Sequence, residues 1–375
     1  MEKNQTDGRP PPKPLEIGTG GKTLIVVASI VFSLVLAEMG LRIFLPFYAA
    51  GDIGLYQYDE ELGVRTQPNV NRLKLTDFLQ ESVTNAYGTV NYSDDFSGWE
   101  KIVFTIGDSF TQGTGVSPDA AYPFQLDLAL NAQEGGYKKQ YAVINLGLGS
   151  YGLMQETITA RRFAKLIRSP DYILQLGVVN DLSDDVAFRS GYRHEHLVQG
   201  NPRWYGLAGE LGWLAESVEI IKRTKLAIGA FRQWRAGMAY DEPRGSPTMA
   251  DSAAAPSAAS QMEKQYLELK ALSDELGAKL ILSWGRCEGT PDGDGSYPWL
   301  KQWSADNGVP FADWCDTALS ILTAQPKLAL SNPHSAKHYK PWTNRIIADA
   351  FAGEILRAAS GQGVQTPSPQ PTDGP

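Results

Sequence analysis

The sequence predicts an α/β fold: a three-layer α/β/α domain on a parallel sheet of about five strands, preceded by one N-terminal transmembrane helix. Three observations predict it. Short apolar, β-branched runs recur from residue 101 onward. Stretches of helical period separate them, and near-continuous apolar strands alternating with helices mean a parallel sheet covered on both faces. Ahead of both lies an apolar run long enough to cross a bilayer.

The elements follow in order. Residues 1–22 are polar and rich in Gly and Pro, and read as a disordered cytoplasmic arm. Residues 23–48 are the transmembrane anchor. Thr23 to Ala37 is apolar except for Thr23, Ser29 and Ser33, and the run resumes after Glu38 toward Phe47. At about 1.5 Å per residue, such a helix crosses a hydrocarbon core of about 30 Å. Glu38 and Arg42 stand four apart and can pair on one helix face. A cleaved signal peptide is the competing reading. The run is long for one, and Tyr48-Ala49-Ala50 lacks the small residue that opens a cleavage site. A buried core helix fits poorly behind a polar arm. Lys3, Arg9, Lys13 and Lys22 precede the span, against Arg42 and Arg65 within or after it, so the N-terminus is expected in the cytoplasm.

Residues 49–98 read as a turn-rich segment packed on the main domain, which spans 99–360. Its strands are Lys101–Ile106, Tyr141–Leu146, Asp171–Leu176 and Ala278–Trp284, with a weaker fifth at Gly308–Trp314. Helices are expected around 120–132, 154–168, 257–276 and 343–359. Residues 187–256 form an inserted helical and linker region. Its stripe of Leu211, Leu214, Val218, Ile221, Ile228 and Phe231 reads as an amphipathic helix with a solvated basic face. Residues 361–375 are a disordered tail.

Composition narrows the function. With 34 basic and 42 acidic residues the net charge is −8, which argues against nucleic-acid binding through a general basic surface. Two cysteines exclude a disulfide-built scaffold and a four-cysteine zinc module. His194 and His196 bracket Glu195, but no third ligand is evident; they read as a solvated loop, and no metal or cofactor is expected.

Three loops carry candidate chemistry. The first strand runs into Gly107-Asp108-Ser109-Phe110-Thr111, the second into Gly147-Leu148-Gly149-Ser150-Tyr151-Gly152, and the third into Gly177-Val178-Val179-Asn180-Asp181. Carboxyl ends of parallel strands line the ligand crevice, so a hydroxyl, a glycine turn and an amide donor meet at one sheet edge. Singly, each could be a turn or a helix cap.

Together these blocks resemble the SGNH (GDSL-type) hydrolase superfamily, over roughly 99–360. The late histidine block is similar to His338-Tyr339-Lys340-Pro341-Trp342 before the last helix. The anchor and Tyr58 to Gly63 also look like membrane-anchored bacterial members. The resemblance implies a flavodoxin-like domain and a serine esterase working through an acyl-serine intermediate. Ser109 would be the nucleophile and His338 the base. The oxyanion donors would be the Ser109 N–H, an N–H of Gly149 or Ser150, and the Asn180 side chain. Asp108 and Asp181 would be supporting residues. The family's aspartate, two or three residues before the histidine, is replaced here by Ala336 and Ser335. A Ser109–His338 dyad oriented by a carbonyl, substitution by Asp316, or His334 as base stay open.

The expected substrate is a small-molecule, lipid or glycan ester, an O-acetyl glycan or lipid ester above all. The expected location is the bacterial inner membrane, with the catalytic domain periplasmic or extracellular. An O-acyltransferase modifying a cell-envelope polysaccharide and a catalytically weak glycan-binding or assembly protein are the alternatives. Cys287 and Cys315 each follow a strand end. If those strands are neighbours, a disulfide is within reach, and two free thiols are the alternative.

Overall fold

The computed structural model describes residues 18–44, 55–75, 79–133, 136–182, 184–185, 218–221, 223–224, 256–287, 296–332 and 338–360, except for the side chains of 72–80, 133, 136–137 and 256–259. Helix α1 (Thr19–Phe44) is long and apolar enough to cross a membrane and buries none of its residues. Its apolar side chains stand open, Leu24 at 70% and Phe32 at 64% exposure. It starts ahead of the expected boundary at 23, because the Lys22 N–H already donates to the Gly18 carbonyl at 3.1 Å. Residues 45–48 of the expected anchor lie outside the described residues. Near its C-terminal end Glu38 accepts from Arg42 at 2.8 Å and from the backbone N–H groups of Glu219 (2.9 Å) and Ile220 (3.1 Å). Of the expected stripe in 187–256, Val218 and Ile221 fall among the described residues, Ile221 exposed, and Leu211, Leu214, Ile228 and Phe231 lie outside them.

The segment after the anchor folds as two antiparallel hairpins, β1 (Tyr56–Asp59) with β2 (Gly63–Thr66), and β3 (Asn71–Leu75) with β4 (Leu79–Val83). The main domain then runs β5 (Lys101–Gly107), α2 (Ser109–Gln112), α3 (Tyr122–Asn131), the small hairpin β6 (Ala132–Gln133) and β7 (Gly136–Tyr137), β8 (Tyr141–Asn145), α4 (Leu153–Leu166) and β9 (Tyr172–Gly177). After the inserted region come α5 (Pro256–Leu276), β10 (Lys279–Trp284), α6 (Ser296–Asp306), α7 (Cys315–Ala324) and α8 (Pro341–Ala359).

The central sheet has the order β10-β9-β5-β8 with every pairing parallel. Alternate residues of β5 face opposite ways, as strand geometry demands. Val103 joins the core under α3 and α8, with Leu126, Phe351 and Ile355. Ile102, Phe104 and Ile106 join the core under α4 and α5, with Ala160, Tyr266 and Leu269. Both faces are covered, which is why these strands read as continuous apolar runs. The chain reverses direction of sheet growth at β5, between β8 and β9, the switch point where doubly wound sheets bind their ligands.

The fifth strand is reduced to one parallel bridge, Leu282 to Phe311. The Leu282 N–H donates to the Pro310 carbonyl at 3.0 Å and the Ala312 N–H to the Leu282 carbonyl at 2.7 Å. Pro310 has no N–H to extend the ladder. The chain then leaves the sheet at Asp313, whose carboxylate accepts from the Cys315 N–H at 3.0 Å as α7 begins.

The β1–β2 hairpin is tied to α4 and the turn before it. Arg162 of α4 grips Asp59 through both Nη atoms, at 2.6 and 3.0 Å, and Glu61 at 2.6 Å. Tyr151 Oη donates to the Val64 carbonyl at 2.6 Å, and Gln155 to the Leu62 carbonyl at 2.8 Å. Leu62 and Val64 pack with Leu148 and Tyr151 in a small core of their own.

Candidate active site

The turn after β5 sets the position of Ser109. Gly107 has φ +155°, and a Cβ there would lie 2.0 Å from Thr111 Oγ1, so only glycine lets the strand bend so tightly into α2. Asp108 then caps α2, its Oδ1 accepting from the Phe110 N–H at 2.8 Å. Ser109 is therefore the first residue of a helical turn, where a backbone N–H has no intrahelical acceptor.

His338 arrives from the far end of the chain. A short antiparallel bridge, Ser331 to Tyr339, holds it just ahead of Pro341 and α8. The Asn332 N–H donates to the His338 carbonyl at 2.7 Å. The imidazole packs on the Phe110 ring at 4.8 Å between centroids, and Tyr339 packs on the same ring at 4.6 Å. His338 Nε2 lies 2.7 Å from Ser109 Oγ. Ser109 Oγ also donates to Asp108 Oδ2 at 3.3 Å, a longer contact than the one to the imidazole.

Asn180, after β9, reaches the same edge. Its Nδ2 donates to Asp108 Oδ2 at 3.0 Å and to Asp184 Oδ2 at 2.9 Å. The Gly149 N–H, after β8, donates to Gln112 Oε1 at 3.0 Å. Among the described residues nothing accepts from the Ser150 N–H, and Ser150 sits in the left-handed region at φ +66°. A non-glycine residue held there costs about 1–2 kcal/mol, and such strain clusters at functional sites. A Cβ on Gly149 would lie 3.6 Å from the Ser109 Cβ, so this turn stands directly against Ser109.

Beneath the site lies a buried acidic group that sequence reading did not anticipate: Glu156 and Asp185, joining Asp108 and Asp181. All four are under 4% exposed. Asp181 Oδ2 accepts from the Val178 N–H at 3.0 Å, and Asp185 Oδ1 from the Met154 N–H at 3.0 Å, so they pin the β9 and α4 ends. Burial pushes Asp108 above the usual aspartate range. Glu156 is pushed up by burial and then by Asp108, and Asp181 by burial and then by Glu156. The signal lay in the Asp181, Asp184 and Asp185 cluster, but Glu156 is brought in only by the pairing of α4 with the sheet.

Asp316 is exposed in the first turn of α7 and makes no hydrogen bond to His338, so it does not orient the imidazole here. His334, Ser335 and Ala336 lie outside the described residues, as do His194 and His196. Among the described residues no group of three or more His, Cys, Asp or Glu is arranged to hold a metal. Cys287, just beyond β10, and Cys315 are joined by a disulfide.

The arrangement gathers a serine hydroxyl, an imidazole and amide donors at the switch point of a flavodoxin-like sheet. No protein-family model and no curated protein sequence matches the chain significantly. Among solved structures, it is similar to a lipolytic G-D-S-L family member from Veillonella parvula, at 12% identity and TM-score 0.39, over 68% of this chain and 98% of that one. It is similar to Axe2, an acetylxylan esterase from Geobacillus stearothermophilus, at 17% identity and TM-score 0.38, over 69% and 95%. A third is the psychrotrophic esterase EstA from Pseudoalteromonas, at 9% identity and TM-score 0.37, over 69% and 99%. These likenesses concern fold alone, and the functional reading rests on the geometry above.

Proposed function

We propose that this chain is a membrane-anchored serine esterase of SGNH type that cleaves an ester through an acyl-serine intermediate. The observation that carries the reading is the 2.7 Å contact between His338 Nε2 and Ser109 Oγ at the carboxyl edge of the sheet. In this reading the imidazole takes the hydroxyl proton as Ser109 Oγ attacks the ester carbonyl. The carbonyl oxygen gains negative charge and is met by the Ser109 and Ser150 N–H groups and by Asn180 Nδ2. The protonated His338 then gives its proton to the departing alcohol. Water, activated by the same imidazole, attacks the acyl-serine and releases the acid.

Two of the candidate donors are engaged within the chain, Asn180 by the Asp108 and Asp184 carboxyls and Gly149 by Gln112. For Asn180 the oxyanion would displace one of them. Of the two candidate turn amides we assign the donor role to Ser150, since Gly149 is committed to Gln112. Asp108 supports the site twice, capping α2 and holding the Asn180 amide in place.

The α1 span fits a single-pass anchor, and the charge asymmetry around it favours an extracytoplasmic domain beside the envelope. That location favours an O-acetylated glycan or a lipid ester as substrate. The test is turnover of short p-nitrophenyl esters by the detergent-solubilised full-length chain, against its Ser109→Ala and His338→Ala variants. Both variants should lose at least about 10³-fold in kcat/KM. Equal turnover by wild type and Ser109→Ala would end the assignment.

A further inference from the structure

Gln112 lies three residues after Ser109, and on a helical turn that spacing puts the two side chains on neighbouring positions of one face. Its Oε1 accepts from the Gly149 N–H at 3.0 Å. Its amide also meets the Tyr56 hydroxyl, 3.2 Å from Oε1 and 3.1 Å from Nε2. Tyr56 opens β1, the first described strand after the anchor helix. A side chain from the segment next to the membrane thus reaches the turn that stands against the nucleophile. The same hairpin holds that turn from its other end, where Tyr151 Oη bonds the Val64 carbonyl.

The turn needs such a hold. Ser150 is kept at φ +66°, a conformation a serine adopts only at a cost, and releasing its neighbour Gly149 would let the turn relax. An amide oxygen held by a phenol supplies an acceptor for Gly149, and Gln112 takes no bond from the next N–H, that of Ser150.

We propose that Tyr56 and Gln112 are positioning residues that set the 149–150 turn, so that the Ser150 N–H meets the oxyanion; the segment beside the membrane is then part of the catalytic apparatus. This rests on the esterase reading. It assigns neither residue a contact with substrate. Since the Ser150 contact strengthens only as charge develops on the carbonyl oxygen, loss of the hold lowers kcat and leaves KM nearly unchanged.

The experiment measures kcat and KM for p-nitrophenyl acetate with the full-length chain in detergent, with thermal melting alongside. Gln112→Leu keeps the size and removes the acceptor; kcat should fall about 10- to 100-fold with KM within about twofold, a part of what losing a whole oxyanion donor costs. Gln112→Glu keeps an acceptor for both Gly149 and Tyr56 and should restore kcat to within about fivefold of wild type, the carboxylate still accepting from both. Tyr56→Phe removes one hydroxyl at a half-buried site, folds as the wild type, and should lower kcat about 3- to 10-fold, the rate equivalent of one neutral hydrogen bond. If Gln112→Leu and Tyr56→Phe keep full kcat while Ser109→Ala is dead, the positioning role is overturned and the esterase stands. A kcat loss in Gln112→Leu that Gln112→Glu fails to restore also overturns it. If Ser109→Ala matches wild type, the esterase reading itself falls.

Discussion

Reducing the Cys287–Cys315 bridge should destabilise the domain by an amount the structure sets. The cysteines are 28 residues apart in sequence, and the bridge closes α6 and the Phe311 crossing into one loop. For a loop of that size, chain-entropy reasoning gives about 12 cal/mol/K of lost unfolded-state entropy, or about 3.6 kcal/mol at 25 °C. A domain of this size shifts its melting temperature by about 2–4 °C per kcal/mol, so reduction should lower it by about 7–14 °C. The assay is a thermal melt of the full-length chain in detergent, with and without a phosphine reductant, alongside the Cys287→Ser/Cys315→Ser double variant. The double variant should melt where the reduced wild type does and ignore the reductant. A shift under about 2 °C in the wild type, or an equal response from the double variant, would refute the reasoning. Because Cys315 follows Trp314, whose indole Nε1 donates to the Trp284 carbonyl at 2.9 Å, and Trp314 packs on Tyr339 at 5.8 Å, reduction should also loosen the His338 side of the site.

Three further outcomes follow. Asn180→Ala should lower kcat about 10²–10³-fold. It should also cost about 1–3 kcal/mol in a denaturant titration, since buried Asp108 loses its amide partner. Arg162→Ala frees Asp59 and Glu61 together and should cost about 1–2 kcal/mol, with earlier proteolytic cutting within 56–66; unchanged cutting would contradict the clamp. Glu156→Gln tests the buried acids: burial raises Glu156 above its ordinary 4.5, so the folded chain keeps a proton that the unfolded chain releases. Stability from that proton is complete below 4.5 and is lost as pH climbs through the folded value. The amide escapes this loss, so the variant should gain more in melting temperature at pH 8 than at pH 5; an equal change at both would contradict it.

The sheet was legible because its strands are buried on both faces: Ile102 through Ile106 and Tyr172 through Leu176 have almost no polar interruption. Helices α3, α4, α5 and α8 fell within two residues of expectation at every end, since each carries an apolar face toward the sheet. The hairpins at 56–83 escaped notice because their strands are only four or five residues long, with Asp59 and Arg65 serving contacts rather than a period. Helices α6 and α7 were hidden for a related reason. Their helical faces are set by Trp303 packing on Tyr266 and by Cys315 in the bridge, which are tertiary facts. In the site, Ser109, Asn180 and His338 each carry a local block, so their convergence could be read one loop at a time. The Tyr56–Gln112–Gly149 contact joins three segments with no shared motif, and the Glu156–Asp108 proximity needs α4 folded across β5.

The central claim is that Ser109 becomes acylated with His338 as its base. It is tested most directly by mixing the full-length chain with p-nitrophenyl acetate, quenching in acid within seconds, and mapping the acetyl group by peptide mass spectrometry. One acetyl group is expected on the peptide that carries Ser109, absent from Ser109→Ala and much slower to appear in His338→Ala. An acetyl group found elsewhere, or steady turnover with Ser109 never modified in any quench, would contradict it.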